Sequence, residues 1–355
     1  MKIALYDPYL DALGGGEKYM MTMAEILSHD HDVSILWDKD EDIEKVEERF
    51  GLDLSHTTRV NNFFSASTSF YSRWKESGAY DVLIYLSDGS IPLVATKKLY
   101  IHFQFPIEWV NVTAKTKLKL RRVNKIITNS LFTKKYVDKK LGLESIVVYP
   151  PVSVQKTDVQ KENIILHVGR FMKTGVEGND YKKQYFMIDT FKELVDKGVE
   201  NWKFVIAASV RMKDLADFQK MQATAAGYPI SFVVNATNED LWKYYNQAKI
   251  YWHASGYGED LEKNPERAEH FGISTAEAMS AGSVPVVINA GGQKEIVTDG
   301  INGLMWSTRA EFISATKKVM DSPKLLDSLA KNAIETADQF TKQQFAEKII
   351  SIITK

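Results

Sequence analysis

Residues 149–169 read YPPVSVQKTDVQKENIILHVG, and this stretch decides how the chain divides. Pro150 and Pro151 end an apolar run, a polar segment follows, and a second apolar run begins near residue 163. Proline cannot continue the hydrogen-bond ladder of a central strand, and a polar stretch after it marks a connection. The segment 149–163 is therefore predicted to link two domains.

Short apolar runs alternate with helical patterns on both sides of this linker. Before it the predicted strands are 2–6, 32–37, 81–87, 98–103, 124–129 and 145–150. After it they are 163–169, 202–208, 230–234, 250–254, 283–288 and 302–306. Continuous apolar runs of this length suit parallel strands that are buried on both faces. Two such series predict an α/β protein with two doubly wound domains, over residues 1–150 and 151–335.

The composition excludes several classes of protein. A chain of 355 residues with a net charge of −1 is not a strongly basic nucleic-acid binder. It has no cysteine, which excludes disulfides and cysteine-ligated zinc. The amino terminus lacks a signal-peptide core, and no apolar run reaches the roughly 18–20 residues that span a bilayer. A cytoplasmic protein is the expectation.

The first predicted strand runs into a glycine-rich turn, DPYLDALGGGEKYM at 7–20. Gly15 and Gly16 would let the backbone approach a ligand closely, and the amides at the helix start could hold an anion. The stretch fails the dinucleotide fingerprint, because Tyr19 stands where its last glycine belongs. The alternative is a loop that only leads into a helix.

A second loop reads HVGRFMKTGVEGNDYKKQ at 167–184. Arg170 is predicted to end a strand, and Lys182 and Lys183 to open the next helix. Lysine at a helix amino terminus is disfavoured by the helix dipole unless an anion lies there. Arginine and lysine together suit phosphate. Solvated surface charges are the alternative.

The stretch AEHFGISTAEAMSAG at 268–282 places Glu269 and Glu277 on either side of a glycine turn. Ionised carboxylates accept hydrogen bonds from sugar and ribose hydroxyls, and the backbone around Gly272 could donate to others. Alternatively, Ser274 and Glu277 form a capping box, and Glu269 is an ordinary surface carboxylate.

Two further candidates lie near predicted strand ends. The turn after strand 283–288 contains Gly292 and is predicted to lie at the same edge of the sheet as the loop at 167–184. His102 closes the run YIH in the first domain, although a lone histidine is more often structural than catalytic.

The pair Asp38 and Asp40 resembles an aspartate metal motif. It lies in an acidic run before a helix, where acids complement the helix dipole, and this structural interpretation is favoured. No His or Cys cluster has metal-ligand spacing, so neither a metal nor a cofactor is expected.

Taken together, these motifs resemble the retaining, nucleotide-sugar-dependent glycosyltransferases of family four. The most specific part is EHFGI through Glu277, in which two glutamates are separated by seven residues. The stretches GGGEK, TNS, VYPPV, VGR followed by KKQ, and GGQKEIV support it. These motifs are similar both to those of bacterial surface-polysaccharide enzymes and to those of the mannosyltransferases that act on a dolichol-linked oligosaccharide. The resemblance implies a GT-B fold, with two Rossmann-like domains facing a cleft and residues 336–355 packing back on the first.

The resemblance also implies a role for each charged candidate. Arg170 and Lys182 would neutralise the donor diphosphate, with Lys183 as the close rival of Lys182. Glu277 would bind the ribose, and Glu269 would lie by the donor sugar.

The remaining candidates would line the same ligand. The resemblance implies that the amides of 271–273 (Phe271, Gly272 and Ile273) reach the sugar hydroxyls. His102 would lie near the sugar and the acceptor, and Gly15 and Gly16 would line the cleft from the first domain.

The implied activity is transfer of a hexose from a UDP- or GDP-sugar to a hydroxyl of a glycan or lipid-linked acceptor, with retention and without a metal. One alternative is a sugar-nucleotide epimerase of the same fold, which needs no acceptor. Another is a non-catalytic nucleotide-sugar-binding subunit, which would bind a donor without turnover.

Two stretches predict contact with an anionic membrane surface. Residues 61–75 are rich in aromatic side chains, and residues 113–125 interleave cations with apolar residues on a predicted helix. Such a pattern can hold anionic headgroups on the inner face of a cell membrane. A solvated helix face is the alternative. The cations are Lys115, Lys117, Lys119, Arg121, Arg122 and Lys125.

Overall fold

The computed structural model describes residues 1–154, 159–174 and 179–354. Part of the predicted linker (155–158) and part of the second glycine-containing loop (175–178) lie outside these residues. The chain divides into two compact units. Unit 1 comprises Met1–Pro151 together with the C-terminal residues from Lys342, and unit 2 is Val152–Thr341.

Unit 1 is built on a seven-stranded sheet in which every neighbouring pair of strands is parallel, in the order β3-β2-β1-β4-β5-β6-β7. Its strands are β1 (Lys2–Tyr6), β2 (Asp32–Leu36), β3 (Thr57–Val60), β4 (Val82–Leu86), β5 (Lys98–Phe103), β6 (Val123–Thr128) and β7 (Ile146–Val147). Its first five helices are α1 (Gly15–Ser28), α2 (Asp40–Phe50), α3 (Phe70–Ser77), α4 (Ala114–Leu120) and α5 (Leu131–Leu141).

Unit 2 has a six-stranded parallel sheet in the order β12-β11-β8-β13-β14-β15. The strands of this sheet are β8 (Glu162–Arg170), β11 (Lys203–Ser209), β12 (Ile230–Val234), β13 (Ala248–His253), β14 (Val284–Ile288) and β15 (Leu304–Trp306). The strands β9 (Lys173–Thr174) and β10 (Asn179–Asp180) form a separate two-stranded sheet. Its helices are α6 (Gln184–Asp196), α7 (Leu215–Thr224), α8 (Asn238–Gln247), α9 (Ile273–Ser280), α10 (Gln293–Ile296), α11 (Arg309–Met320) and α12 (Pro323–Ala337).

Both sheets are buried on their two faces, as the continuous apolar runs predict. In β1, Ile3 and Leu5 belong to one hydrophobic cluster while Ala4 and Tyr6 belong to another. Successive side chains of a strand point to opposite faces, so an apolar residue at every position places a core on each side. The α/β class and the two doubly wound sheets are confirmed.

The last helix, α13 (Lys342–Ile353), belongs to unit 1. Its apolar side chains join the core cluster that covers one face of the unit 1 sheet, and the Phe345 ring meets the Tyr19 ring edge-on at 4.8 Å. The structure changes unit at Pro151 and again at Thr341, where the sequence predicts boundaries after residues 150 and 335.

A buried carboxyl group lies where β1 ends. Asp7 is almost inaccessible to solvent, and one of its oxygens accepts the Tyr9 amide at 2.9 Å. Its other oxygen has no hydrogen-bond partner in the described part of the chain. Burial, followed by the charge of Glu17, raises the pKa of Asp7 to about 8. Because the folded state favours the protonated form, Asp7 stabilises the fold most at low pH.

We therefore expect the free energy of unfolding to fall as the pH rises from the ordinary value of 3.8 toward about 8. In this window the unfolded carboxyl has lost its proton while the folded one still holds it. Asp7→Asn should flatten this dependence and stabilise the protein at pH 8 by about 1 kcal/mol or more. Denaturant titrations at several pH values measure this, with the exposed Asp30→Asn as control. An unchanged slope in Asp7→Asn would contradict the assignment.

Candidate functional site

The candidate residues of unit 2 gather at the carboxyl edge of its sheet. Strand β8 ends at Arg170, β13 ends at His253, and β14 leads into the glycine turn at 290–292. Parallel strands present their carboxyl ends at one edge, which is where ligands bind in open α/β sheets.

The glycine turn packs directly against the segment that carries Glu269. The Gly292 amide donates to the Glu269 carbonyl at 2.7 Å. A Cβ atom on Gly291 would lie 2.3 Å from that carbonyl oxygen, and one on Gly292 would lie 2.4 Å from the His270 carbonyl oxygen. Only glycine permits this approach, so the turn holds the Glu269 backbone in place.

Helix α9 begins directly after this segment. Gly272 precedes it with a φ of 114°, a left-handed conformation that favours glycine, and Ile273 is the first helical residue. Phe271 is buried, with its ring edge-on to Phe340 at 5.2 Å.

Lys182 and Glu269 form the central contact of the site. Lys182 Nζ lies 2.6 Å from Glu269 Oε2, and the two side chains are only 18% and 16% exposed. His253 Nε2 lies 2.8 Å from the same oxygen, and its ring is fully buried. Lys182 and Glu269 were predicted from sequence to bind one ligand, whereas His253 was not predicted as a site residue.

The charge of Glu269 follows from these contacts. Burial alone would raise the pKa of its carboxyl, but the Lys182 charge and the His253 hydrogen bond outweigh burial and hold that pKa well below its usual range. Burial lowers the pKa of His253, against the effect of Glu269. The site therefore holds an ionised carboxylate, an ammonium and a neutral imidazole, whose Nε2–H donates to the carboxylate.

The neighbouring lysine has a different partner. Lys183, with a φ of 58°, directs its Nζ to Glu259 at 2.5 Å, and Arg267 reaches the other oxygen of Glu259 at 2.6 Å. Asp180 accepts the amides of the first two residues of α6 at 2.6 and 3.1 Å. The start of α6 is thus fixed with Lys182 directed to Glu269 and Lys183 directed to Glu259, in the segment between β13 and α9.

Arg170 and Glu277 are the other charged candidates in unit 2. Arg170 is partly exposed, and among the described residues no carboxylate lies within salt-bridge distance of it. A Cβ atom on the preceding Gly169 would lie 3.2 Å from Lys182 Cγ, so the end of β8 packs beside that lysine. Glu277, on α9, accepts a hydrogen bond from the Tyr245 hydroxyl at 3.1 Å.

The candidates of unit 1 lie in a separate environment. Gly15 and Gly16 form the first turn of α1, and the Gly16 carbonyl accepts from the Gln104 side chain at 3.0 Å. His102 is fully buried, with its ring stacked on Tyr19 at 4.2 Å. Burial lowers the pKa of His102 to about 3. His102 is therefore a neutral core residue in this structure, and its contact with a sugar stays a prediction.

His253 could have been found from its position. It lies one residue before the end of the predicted strand 250–254, near the edge of the sheet where ligands bind. Its neighbours in IYWHA are mostly apolar, which is typical of a core residue, and the side chain is fully buried. Contact with a glutamate 16 residues further along the chain leaves no sequence signal.

Asp38 and Asp40 have separate partners. Asp38 accepts the Asn62 amide at 2.8 Å, and Asp40, the first residue of α2, pairs with Arg59. Across residues 1–154, 159–174 and 179–354, no group of three or more His, Asp or Glu side chains is arranged to hold a metal ion. In the same residues no helix combines the length and the apolar content needed to cross a bilayer.

Comparison with known proteins identifies the class. Residues 152–336 match the family described as glycosyl transferases group 1, and the chain belongs to that family. Over its full length it is similar to Anabaena Alr3699/HepE, solved with UDP and glucose, at 16% identity and a TM-score of 0.70, covering 100% of this chain and 99% of that one. Its fold is also similar to that of a sucrose-phosphate synthase from Thermosynechococcus elongatus, with 14% identity, a TM-score of 0.69 and coverage of 100% of this chain and 98% of that one. The expected GT-B fold is confirmed.

Curated relatives include a GDP-Man:Man(3)GlcNAc(2)-PP-Dol alpha-1,2-mannosyltransferase of Dictyostelium discoideum, 24% identical over 61% of this chain and 43% of the relative. The enzyme of the same description from Neurospora crassa is 25% identical over 66% and 45%. The chain thus matches less than half the length of each.

Proposed function

We propose that the protein is a retaining glycosyltransferase that moves a hexose from a UDP- or GDP-sugar to a hydroxyl of a glycan or lipid-linked acceptor, without a metal ion. The observation that carries this proposal is the pairing of Lys182 with the ionised Glu269 beside the end of β8. Cation and carboxylate together match a ligand that has a phosphate end and a hydroxyl-rich end.

The diphosphate would lie against Arg170 and Lys182. Arg170 offers a fork of donors to phosphate oxygens, and Lys182 a mobile point charge. Lys182 Nζ contacts one oxygen of Glu269. A bound diphosphate would share this ammonium group with Glu269. Lys182 packs beside the end of β8, where Arg170 lies, whereas Lys183 points away to Glu259, so we assign the diphosphate contact to Lys182.

The sugar and ribose would lie against the carboxylates. Glu269 would accept a hydroxyl of the donor sugar, and the amides at 271–273 would donate to others. Glu277 would accept the ribose hydroxyls while the Tyr245 hydroxyl fixes its orientation.

Transfer requires the stabilisation of charge that develops on the leaving diphosphate as the bond to the sugar C1 stretches. Fixed cations in a partly desolvated site stabilise such charge strongly, and this is the role we assign to Arg170 and Lys182. The donor phosphate would take the acceptor's proton on the same face, which retains the configuration.

Similar proteins point to two classes of sugar donor. Curated relatives are named for GDP-mannose, and a protein of the same fold was solved with UDP and glucose. Both nucleotide sugars are therefore the first donors to assay.

Lys182→Ala should lower kcat by about 10²–10³-fold, since one donor to the developing charge is lost. The matched control is Lys197→Ala, just after the end of α6, which removes only an exposed pair with Glu193 and should leave the rate unchanged. Steady-state kinetics with UDP-glucose or GDP-mannose measure this. Equal rates for Lys182→Ala and Lys197→Ala would refute the assignment. Sugar isomerisation without an acceptor would indicate the epimerase instead.

We also propose that unit 1 contacts an anionic membrane. Phe70, Tyr71 and Trp74 of α3 are exposed, Tyr71 by 76%. Arg122, just after α4, lies 5.8 Å from the Trp74 ring centre and so connects these aromatic residues to the cationic segment. Exposed aromatic rings beside cations suit an interface with anionic lipid.

The test is co-sedimentation with vesicles of phosphatidylcholine alone or with phosphatidylglycerol. The double variant Lys115→Ala/Lys117→Ala should bind anionic vesicles about 10–30-fold more weakly, at about 1 kcal/mol per cation. Lys135→Ala/Lys139→Ala, on α5, makes the same charge change outside the patch and should bind normally. Wild-type binding that does not depend on anionic lipid would end the proposal.

A further inference from the structure

A single oxygen of Glu269 receives both donors of the site. Lys182 Nζ and His253 Nε2 lie 2.6 and 2.8 Å from Oε2. Within the described residues Oε1 has no hydrogen-bond partner, and the side chain keeps 16% of its surface exposed. The carboxylate is therefore held by one oxygen and has the other available to a ligand.

We infer that His253 is the positioning residue of the site: it holds the Glu269 carboxylate so that Oε1 meets a hydroxyl of the donor sugar. This inference rests on the proposed function. His253 itself would touch neither the sugar nor the diphosphate. It would act through Glu269 alone.

Lys182 and His253, which both contact Oε2, would respond differently to a bound nucleotide sugar. Lys182 stands next to the end of β8 and is the cation that a diphosphate would attract. Once Lys182 Nζ turns toward phosphate, its hold on Glu269 weakens. His253 then remains as the contact that keeps the carboxylate oriented while the ligand is bound.

The surroundings of His253 suit this role. The residue ends β13, a strand flanked by β8 and β14, and it pairs with Val287 in the sheet register. Its ring is fully buried, and the His167 ring lies 6.2 Å away, itself anchored by the Trp252 carbonyl at 3.0 Å from Nδ1. A side chain packed in the sheet core cannot follow the ligand as a lysine can.

A neutral imidazole also leaves the charge of the carboxylate intact. Burial lowers the pKa of both His253 and His167, the latter to about 3. His253 thus supplies a directed hydrogen bond without adding a second positive charge beside Lys182. The negative charge of Glu269 stays available to the sugar hydroxyl, which binds an ionised acceptor more strongly than a neutral one.

The test separates binding of the sugar from binding of the nucleotide. Calorimetry would measure Kd for UDP against UDP-glucose, and for GDP against GDP-mannose, using the pair that the wild type binds. His253→Phe keeps a ring and removes the donor. We expect the nucleotide-sugar Kd to rise about 10-fold, with Kd for the nucleoside diphosphate unchanged, and kcat to fall by about 10²-fold because the sugar is misplaced.

His253→Gln provides the rescue, since its amide can donate near the position of Nε2. It should recover most of the nucleotide-sugar affinity and the rate. His253→Leu replaces the phenylalanine variant if that variant does not fold, and thermal unfolding checks each protein. Tyr245→Phe is the crossed control: it removes the hydroxyl that contacts Glu277, so it should weaken nucleoside diphosphate and nucleotide sugar alike.

The outcomes distinguish two failures. Suppose that the wild type binds both the nucleoside diphosphate and its nucleotide sugar. If the apolar His253 variants then weaken the binding of both equally, or of neither, the positioning role is wrong and the proposed function stands. The same conclusion follows if His253→Gln performs no better than His253→Phe. If the wild type binds none of the four ligands, the proposed function fails and this inference fails with it.

Discussion

The structure of the site depends on one ion pair, formed by Lys182 and Glu269 where the unit 2 sheet ends. Both side chains are largely withdrawn from water, so each charge needs the other: removing one partner of a buried pair leaves an uncompensated charge. The hydrogen bond from His253 adds a second donor to the carboxylate and keeps it ionised. A partly desolvated pair of opposite charges suits a ligand that carries both phosphate and hydroxyl groups.

The fold supplies the geometry that the pair needs. Parallel strands bring Arg170 and His253 to one edge, and the capped start of α6 presents Lys182 there. The turn at 290–292 presses against the backbone of Glu269, where added side-chain atoms would overlap it. Three segments that are distant in sequence thus converge on one carboxylate.

Much of this arrangement was predictable from sequence, because it depends on patterns that lie close together in the chain. Apolar runs predicted most strands, but β3 (Thr57–Val60) was missed, since an edge strand needs little apolar character. Glu269 and Lys182 were predicted to share a ligand, although nothing in the sequence shows that they pair. His253 escaped notice because its role depends on contact across the fold. His102 resembled a site residue, yet its ring lies in a core that only the folded chain reveals.

A crystal structure with UDP-glucose or GDP-mannose tests the central claim most directly. The account predicts that the diphosphate lies within about 3.2 Å of Lys182 Nζ and of the Arg170 guanidinium, a normal hydrogen-bond distance, with a sugar hydroxyl at Glu269 Oε1. A nucleotide sugar bound elsewhere, with the Lys182–Glu269 contact unchanged and no ligand at the carboxyl edge of the unit 2 sheet, would contradict the account.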